Sequence, residues 1–433
     1  MNNYSNWKRP FFTIFTGQVF SILGSGLVQF ALVWWLTQTT HSAAVLASAT
    51  MAAILPEIFL GPFAGALVDR WNRRLVMIVA DSSIALVTVF LAVLFWAGVV
   101  QPWHVFGILF LRSLGGVFHY NAMQASTSLM VPEKHLSRIQ GINQTLHGIL
   151  NIATPPLGAL LMGLVPLYAV VSVDVITAAM AVTPLLFIPI PQPIRKDAVE
   201  AVTPAVLLRD VRGGLCYVTA WPGLVAILLM AMAINFLFNP AAMLLPLLVT
   251  NHFNGDVWHL GIIESGWGVG VVLGAVLLSV WGGFKRKVLT SMCGLIGMGA
   301  GALMVGLSPA SAFGMAVVGY AIAGFMNPIT NGPLMAFLQS RVAPDMQGRV
   351  FSLISSASMA MMPLGTLAAA PVADRLGVPA WFIAAGVVTA GMGVLGFFIP
   401  VIANIERDMP PLSAAAPAEP PISEQPSPSY IEL

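Results

Sequence analysis

The chain of 433 residues carries 8% charged side chains against 58% hydrophobic ones, where a soluble domain is about 25% charged. That shortage of charge excludes a water-soluble globule, and a formal net charge of +2 spread over short basic clusters offers no surface to nucleic acid. Cys216 falls in a polar connecting segment and Cys293 inside an apolar run, which excludes a disulfide framework or a thiolate metal centre.

Charge-poor stretches of about 20 residues recur along the whole chain, the length a helix needs to cross a bilayer. Lys8 and Arg9 precede the first of them with no cleavage-site pattern, so it reads as a retained first span. The first half runs from about Phe11 to Pro189, broken near Gln38–Ser42, Asp69–Arg74, Gly98–Trp103, Pro132–Ser137 and Gly163–Leu167. The second runs from about Trp221 to Ala403, broken near Asn251–Val257, Gly282–Lys287, Ser308–Ser311, Arg341–Gly348 and Asp374–Ala380. Each half yields six spans, so the expected fold is an all-α membrane protein of twelve transmembrane helices in two pseudo-symmetric six-helix bundles, residues 1–190 and 221–405. Residues 191–220 gather Pro and charge and read as a cytoplasmic linker, with one amphipathic helix around Val206–Tyr217. The tail 406–433 is Pro/Ala/Ser-rich and acidic, too poor in apolar surface to fold.

With both termini cytoplasmic, every Lys and Arg except Arg112 and Arg375 falls in an inside segment, as the positive-inside rule requires. The expected location is therefore the cell membrane, as a multi-pass protein and a monomer.

The loop after the second span reads Gly65-Ala66-Leu67-Val68-Asp69-Arg70-Trp71-Asn72-Arg73-Arg74. A carboxylate and a basic cluster in a tight turn can latch a neighbouring helix end by charge and dipole, or serve only as a positive-inside loop. This ordered pattern resembles the signature loop of the major facilitator superfamily, with Asp69, Arg70 and Arg73 at its charged positions and Asn72 where the family usually has glycine. Asn tolerates the left-handed conformation that glycine would supply there. Gly282-Gly283-Phe284-Lys285-Arg286-Lys287 is a worn copy at the equivalent loop of the second half, as a duplicated six-span unit would have.

Further residues resemble the macrolide-efflux (Mef-type) branch and related drug exporters. They are Asn6-Trp7-Lys8-Arg9 with Gly17-Gln18, Val76-Met77-Ile78-Val79-Ala80-Asp81, Asp174, Ile263-Glu264, Gly282-Gly283-Phe284, and Gln347-Gly348-Arg349-Val350-Phe351-Ser352-Leu353-Ile354. Thr154-Pro155-Pro156-Leu157-Gly158-Ala159 resembles the exporters' Gly-Pro motif with two glycines altered. The resemblance implies alternating access and export of drugs. Arg112, with Gly116, resembles the superfamily's span-four motif, whose arginine it implicates in proton handling. Proton-coupled relatives often carry an acid in span one, and this chain has none.

An ionised Arg112 within a span needs a partner. The candidates are Asp81, Glu57 and Asp174, with Asp81 favoured because spans three and four are joined by a short loop. Glu57, Asp81, Asp174 and Glu264 are carboxylates inside apolar runs. Such groups can exchange a proton as they alternate between wet and dry surroundings, or serve as structural ion pairs. Polar residues at helical spacing are Gln18, Ser25 and Gln29 in span one, Asn143, His147 and Asn151 in span five, Asn235 and Asn239 in span seven, and Asn327 and Asn331 in span ten. They line a wet central cavity for an amphipathic small molecule, the alternative for any one of them being an interhelical hydrogen bond.

No nucleophile with its base, no metal-ligand cluster and no phosphate-binding glycine loop accompanies the spans, so neither a membrane enzyme, a cofactor nor ATP hydrolysis is expected. The function expected is proton-driven export of hydrophobic or amphipathic compounds. Export of an endogenous metabolite or siderophore is the competing reading, with uptake by symport behind it.

Overall fold

A computed structural model describes residues 7–68, 71–192, 213, 215–342 and 346–407. Twelve long helices occur among them: α1 (Lys8–Thr40), α2 (Ala43–Val68), α3 (Arg73–Trp96), α4 (Pro102–Met130), α5 (Glu133–Leu164), α6 (Leu167–Phe187), α7 (Pro222–Leu247), α8 (Val257–Trp281), α9 (Lys287–Gly306), α10 (Phe313–Arg341), α11 (Gln347–Leu376) and α12 (Val378–Phe398). A single turn, α13 (Pro400–Ala403), follows. Eleven of the long helices are long and apolar enough to cross a membrane. The other, α4, has 29 residues but dilutes its apolar content with His104, Arg112, His119, Asn121 and Gln124. Large apolar side chains such as Leu86, Val280 and Phe398 stand on the outside, as a surface solvated by lipid requires.

Local chemistry sets the helix ends. Pro102 and Pro222 open α4 and α7, where their missing N–H groups cost nothing. Asp256 caps α8, its carboxylate accepting from the backbone of Trp258 at 3.1 Å and His259 at 3.2 Å. Hydrogen bonding from His259 holds that exposed carboxyl below its usual range. Gly282, at φ 74°, closes α8 in the left-handed conformation open to glycine. Interior prolines sit in α5, α6, α7, α10 and α11, and neighbouring helices supply the packing that a broken backbone hydrogen bond needs.

Helices α1–α6 pack chiefly among themselves, as do α7–α12, and the halves meet through α5 with α8, α2 with α11, and α1 and α2 with α7. Where the halves meet differs between the two ends of the molecule. At the end away from the termini one apolar cluster draws on both, with Leu36 and Leu46 beside Leu244, Leu248 and Trp381. At the end carrying the termini there are two separate clusters, one of Phe11, Met77, Ile139 and Leu185, the other of Trp221, Met292, Phe337 and Ile405. Among the described residues the molecule is therefore sealed at one end and parted at the other.

The folded chain runs past the boundary expected at Ile405. Glu406 accepts a 2.7 Å hydrogen bond from Val288 N, satisfying one of the orphan donors at the start of α9. The rest of the tail and most of the helix expected over Val206–Tyr217 lie outside the described residues.

Candidate functional site

Two polar layers cross the interior of the first bundle on the same three helices. In the first, Gln18 of α1 donates to Asp81 of α3 at 3.3 Å, and His119 Nε2 of α4 stands 3.5 Å from the other carboxylate oxygen. In the second, Ser25 of α1 donates to Asp174 of α6 at 2.9 Å, Thr88 of α3 donates to its other oxygen at 3.1 Å, and Arg112 of α4 pairs with that oxygen and with the Thr88 hydroxyl. Residues 18 and 25, 81 and 88, and 112 and 119 are each seven apart. Seven residues are two helical turns, about 10.5 Å, so each helix offers both layers from one face. Asp174 is fully buried and Asp81 is 4% exposed.

This arrangement corrects the pairing of Arg112 with Asp81. In the antiparallel hairpin of α3 and α4, Arg112 lies level with Thr88, while Asp81 lies level with His119. A short loop brings two helices together but leaves the depth of each residue to be counted from the turn. His119 was missed by sequence reasoning, although its seven-residue spacing from Arg112 was a usable signal.

Close helix approach makes the second layer. A Cβ at Gly24 would lie 2.0 Å from Thr177 Oγ1 and 3.2 Å from Asp174 Cα, so only glycine lets α1 come near enough to α6 for Ser25 to reach Asp174. Gly24→Val is expected to lower the midpoint of thermal unfolding in detergent by several degrees, while Gly107→Ala, at an exposed site with nothing within 4 Å, leaves it unchanged.

Two cavities adjoin the layers. One of about 160 Å³ is lined by Gln18, His119, Asn143 and His147. Another of about 320 Å³ lies between the bundles, lined by Gln29, His147, Asn151, Pro155 and Glu264. They share Ile22, His147 and Leu150. Glu57 is exposed, yet it lies on the opposite face of α2 from Leu55, Phe59 and Phe63, the exposed apolar stripe. It is thus turned from lipid toward the interior. The other amides do not join these cavities. Asn239 donates to the Asn235 side chain at 3.0 Å, Asn235 to Ala231 O, and Asn331 to Asn327 O, so they satisfy their own helices. No group of three or more His, Cys, Asp or Glu that could hold a metal occurs among the described residues.

The sequence pattern of the Major Facilitator Superfamily matches residues 14–366. The chain belongs to the major facilitator superfamily. It is 35% identical over 386 residues to macrolide efflux protein A of Streptococcus pyogenes, covering 89% of this chain and 95% of that protein. It is 26% identical over 415 residues to the multidrug efflux pump Tap of Mycolicibacterium fortuitum, covering 93% of this chain and 98% of the pump. Among solved structures the fold is similar to the nucleoside transporter NupG, at a TM-score of 0.64 and 15% identity, over 90% of this chain and 99% of that one. The protein is a multi-pass membrane transporter with homology to macrolide and multidrug efflux pumps.

At the terminal end of this superfamily member, the α2–α3 loop binds neighbouring helices. Gly65 lies in α2, and Asp69 and Arg70 fall outside the described residues. Arg73 is buried and donates to Ala125 O of α4 at 2.8 Å, while Arg74 donates to Leu185 O and Leu186 O, unpaired carbonyls at the end of α6. Asn72 is extended, at φ −69° and ψ 108°, in place of the left-handed conformation expected. Its side chain caps α3 by accepting from Leu75 N at 3.3 Å. The second half repeats the device, with Arg286 donating to Ala403 O beyond α12.

At the opposite end, hydrogen bonds cross between the halves. Asp374 of α11 accepts from Ala43 N, the first residue of α2, at 3.1 Å, and His41 meets Asn251 at 3.2 Å. Asp374 carries no sequence signal beyond its place in a charged break.

Proposed function

We propose that this transporter exports hydrophobic or amphipathic compounds, macrolide-like drugs first among them, in exchange for protons. The observation that carries the reading is the inter-bundle cavity, sealed at one end by a shared apolar cluster and lined by amides and a carboxylate. Homology to macrolide efflux protein A over nearly its whole length supports the substrate class. The positive-inside bias of the basic residues supports cytoplasmic termini in a cell-membrane protein, with the parted end as the loading side. Glu57, Asp81, Asp174 with Arg112, and Glu264 form the coupling set. The loop through Gly65, Asp69, Arg70 and Arg73 holds the conformational gate, and the monomer is the working unit.

Extrusion is driven by inward proton flow, worth about 2.3 kcal/mol for each charge moved through 100 mV. Energised inside-out vesicles are expected to accumulate macrolides and other amphipathic drugs, and a protonophore to abolish the accumulation. Accumulation of none of a drug panel, or accumulation indifferent to the protonophore, would remove the corresponding half of the proposal. Glu57→Gln is expected to weaken gradient-driven transport while sparing exchange of labelled for unlabelled substrate, read in the same vesicles.

A further inference from the structure

We infer that the Asp81–His119 pair is the proton-exchange site facing the parted end, a refinement that rests on the antiport reading above. The two layers share their helices but differ in the cation. Asp174 faces Arg112, whose guanidinium does not lose its proton in a protein. It also accepts from Ser25 and Thr88, so every contact at that layer stabilises the charged carboxylate. Asp81 faces an imidazole instead, the side chain whose charge changes between about pH 5 and 8.

Position distinguishes the layers as well. Residues 18, 81 and 119 lie two turns nearer the parted end than 25, 88 and 112. His119 and Gln18 line the 160 Å³ cavity and Asp81 lies behind them, so water reaches the carboxylate by way of the imidazole. Gln18 Oε1 is buried and makes no hydrogen bond within the described structure, and His119 Nε2, also buried, has the Asp81 carboxylate beside it at 3.5 Å. Among the described residues the groups around the pair are, from α1, Gln18, from α4, Tyr120 on the same cavity and Arg112 two turns away, from α5, His147 across the cavity, and from α6, Asp174.

Loading, in the state open away from the termini, transfers one proton from a hydronium to the ring of His119, leaves water behind, and takes the pair from a net charge of −1 to zero. Unloading returns that proton to water in the cavity at the parted end, so each cycle carries one proton inward. The pair thus holds its proton through a salt bridge that closes when loaded and loosens when empty.

Proteoliposomes separate the readings. Gradient-driven transport, substrate exchange without a gradient, and the pH profile of each are measured for the natural protein, His119→Gln and Asp81→Asn. Both variants are expected to lose gradient-driven transport by at least about tenfold, to keep substrate exchange, and to lose the pH dependence of transport. Where a variant fails to fold, His119→Asn and Asp81→Ser take its place. A purely structural role would lower exchange and gradient-driven transport together. Natural coupling and pH profile in the His119 variants would overturn the assignment. Exchange in the natural protein with no response to a pH gradient would instead overturn the antiport reading itself.

Discussion

Arg112→Ala is expected to abolish transport and to destabilise the first bundle more than any other single change in it. The substitution leaves Asp174 as a fully buried carboxylate with only the Ser25 and Thr88 hydroxyls for partners. Breaking a buried ion pair from one side costs about 3–5 kcal/mol, because the remaining charge is uncompensated. Asp174→Asn leaves the guanidinium in the same position and is expected to be similarly damaging. The double variant Arg112→Ala/Asp174→Asn removes both charges and should recover a large part of the stability without recovering transport. Thermal unfolding in detergent, with drug accumulation in vesicles, distinguishes this coupling from two independent losses. Additive destabilisation would mean that the pair is not the organising contact of its layer.

The second large effect is expected at Asp374. Its carboxylate accepts from Ala43 N at the start of α2, where orphan N–H groups and the helix dipole favour a negative charge. Unlike most caps, this one belongs to the other half of the molecule, so its loss weakens the closed end specifically. A capping side chain is worth about 0.5–2 kcal/mol. Asp374→Ala is therefore expected to shift the equilibrium toward the state open at that end by about twofold to thirtyfold. A cysteine introduced at Gln29, inside the inter-bundle cavity, should become more reactive to a membrane-impermeant reagent added from the side away from the termini. Unchanged labelling would show that the apolar cluster alone sets that equilibrium.

Most of the fold was legible because the membrane restricts the alternatives. Runs of apolar residues, the loops between them and the repeated basic turn were enough to lay out twelve helices in two halves. The polar interior was less legible. Ser25, Asp174 and Arg112 were picked out individually, but their meeting depends on Gly24 and on the register of α3 with α4, which no single residue announces. The seven-residue spacing of His119 from Arg112 was readable, but its level with Asp81 emerges from counting along both helices from the Ala97–Gln101 turn. The amides of α7 and α10 form the same periodic pattern as those of α1 and α5, yet the side chains of Asn235, Asn239 and Asn331 turn back onto their own helices. Periodicity identifies a face of a helix and leaves open what that face meets. Asp374 was hidden for another reason: its partner is a backbone N–H on a helix 331 residues away in the chain.

The paired arginines have a mechanical consequence. Arg74 fastens the α2–α3 turn to the end of α6, and Arg286 fastens the α8–α9 turn just beyond α12. In each half a side chain from the third helix or the turn before it thus staples shut the loop of chain that ends the bundle. Two stapled bodies can swing against each other but have little freedom to splay internally. The seam between them is then where one half can be expected to move against the other, with α5 packed on α8 as its main contact.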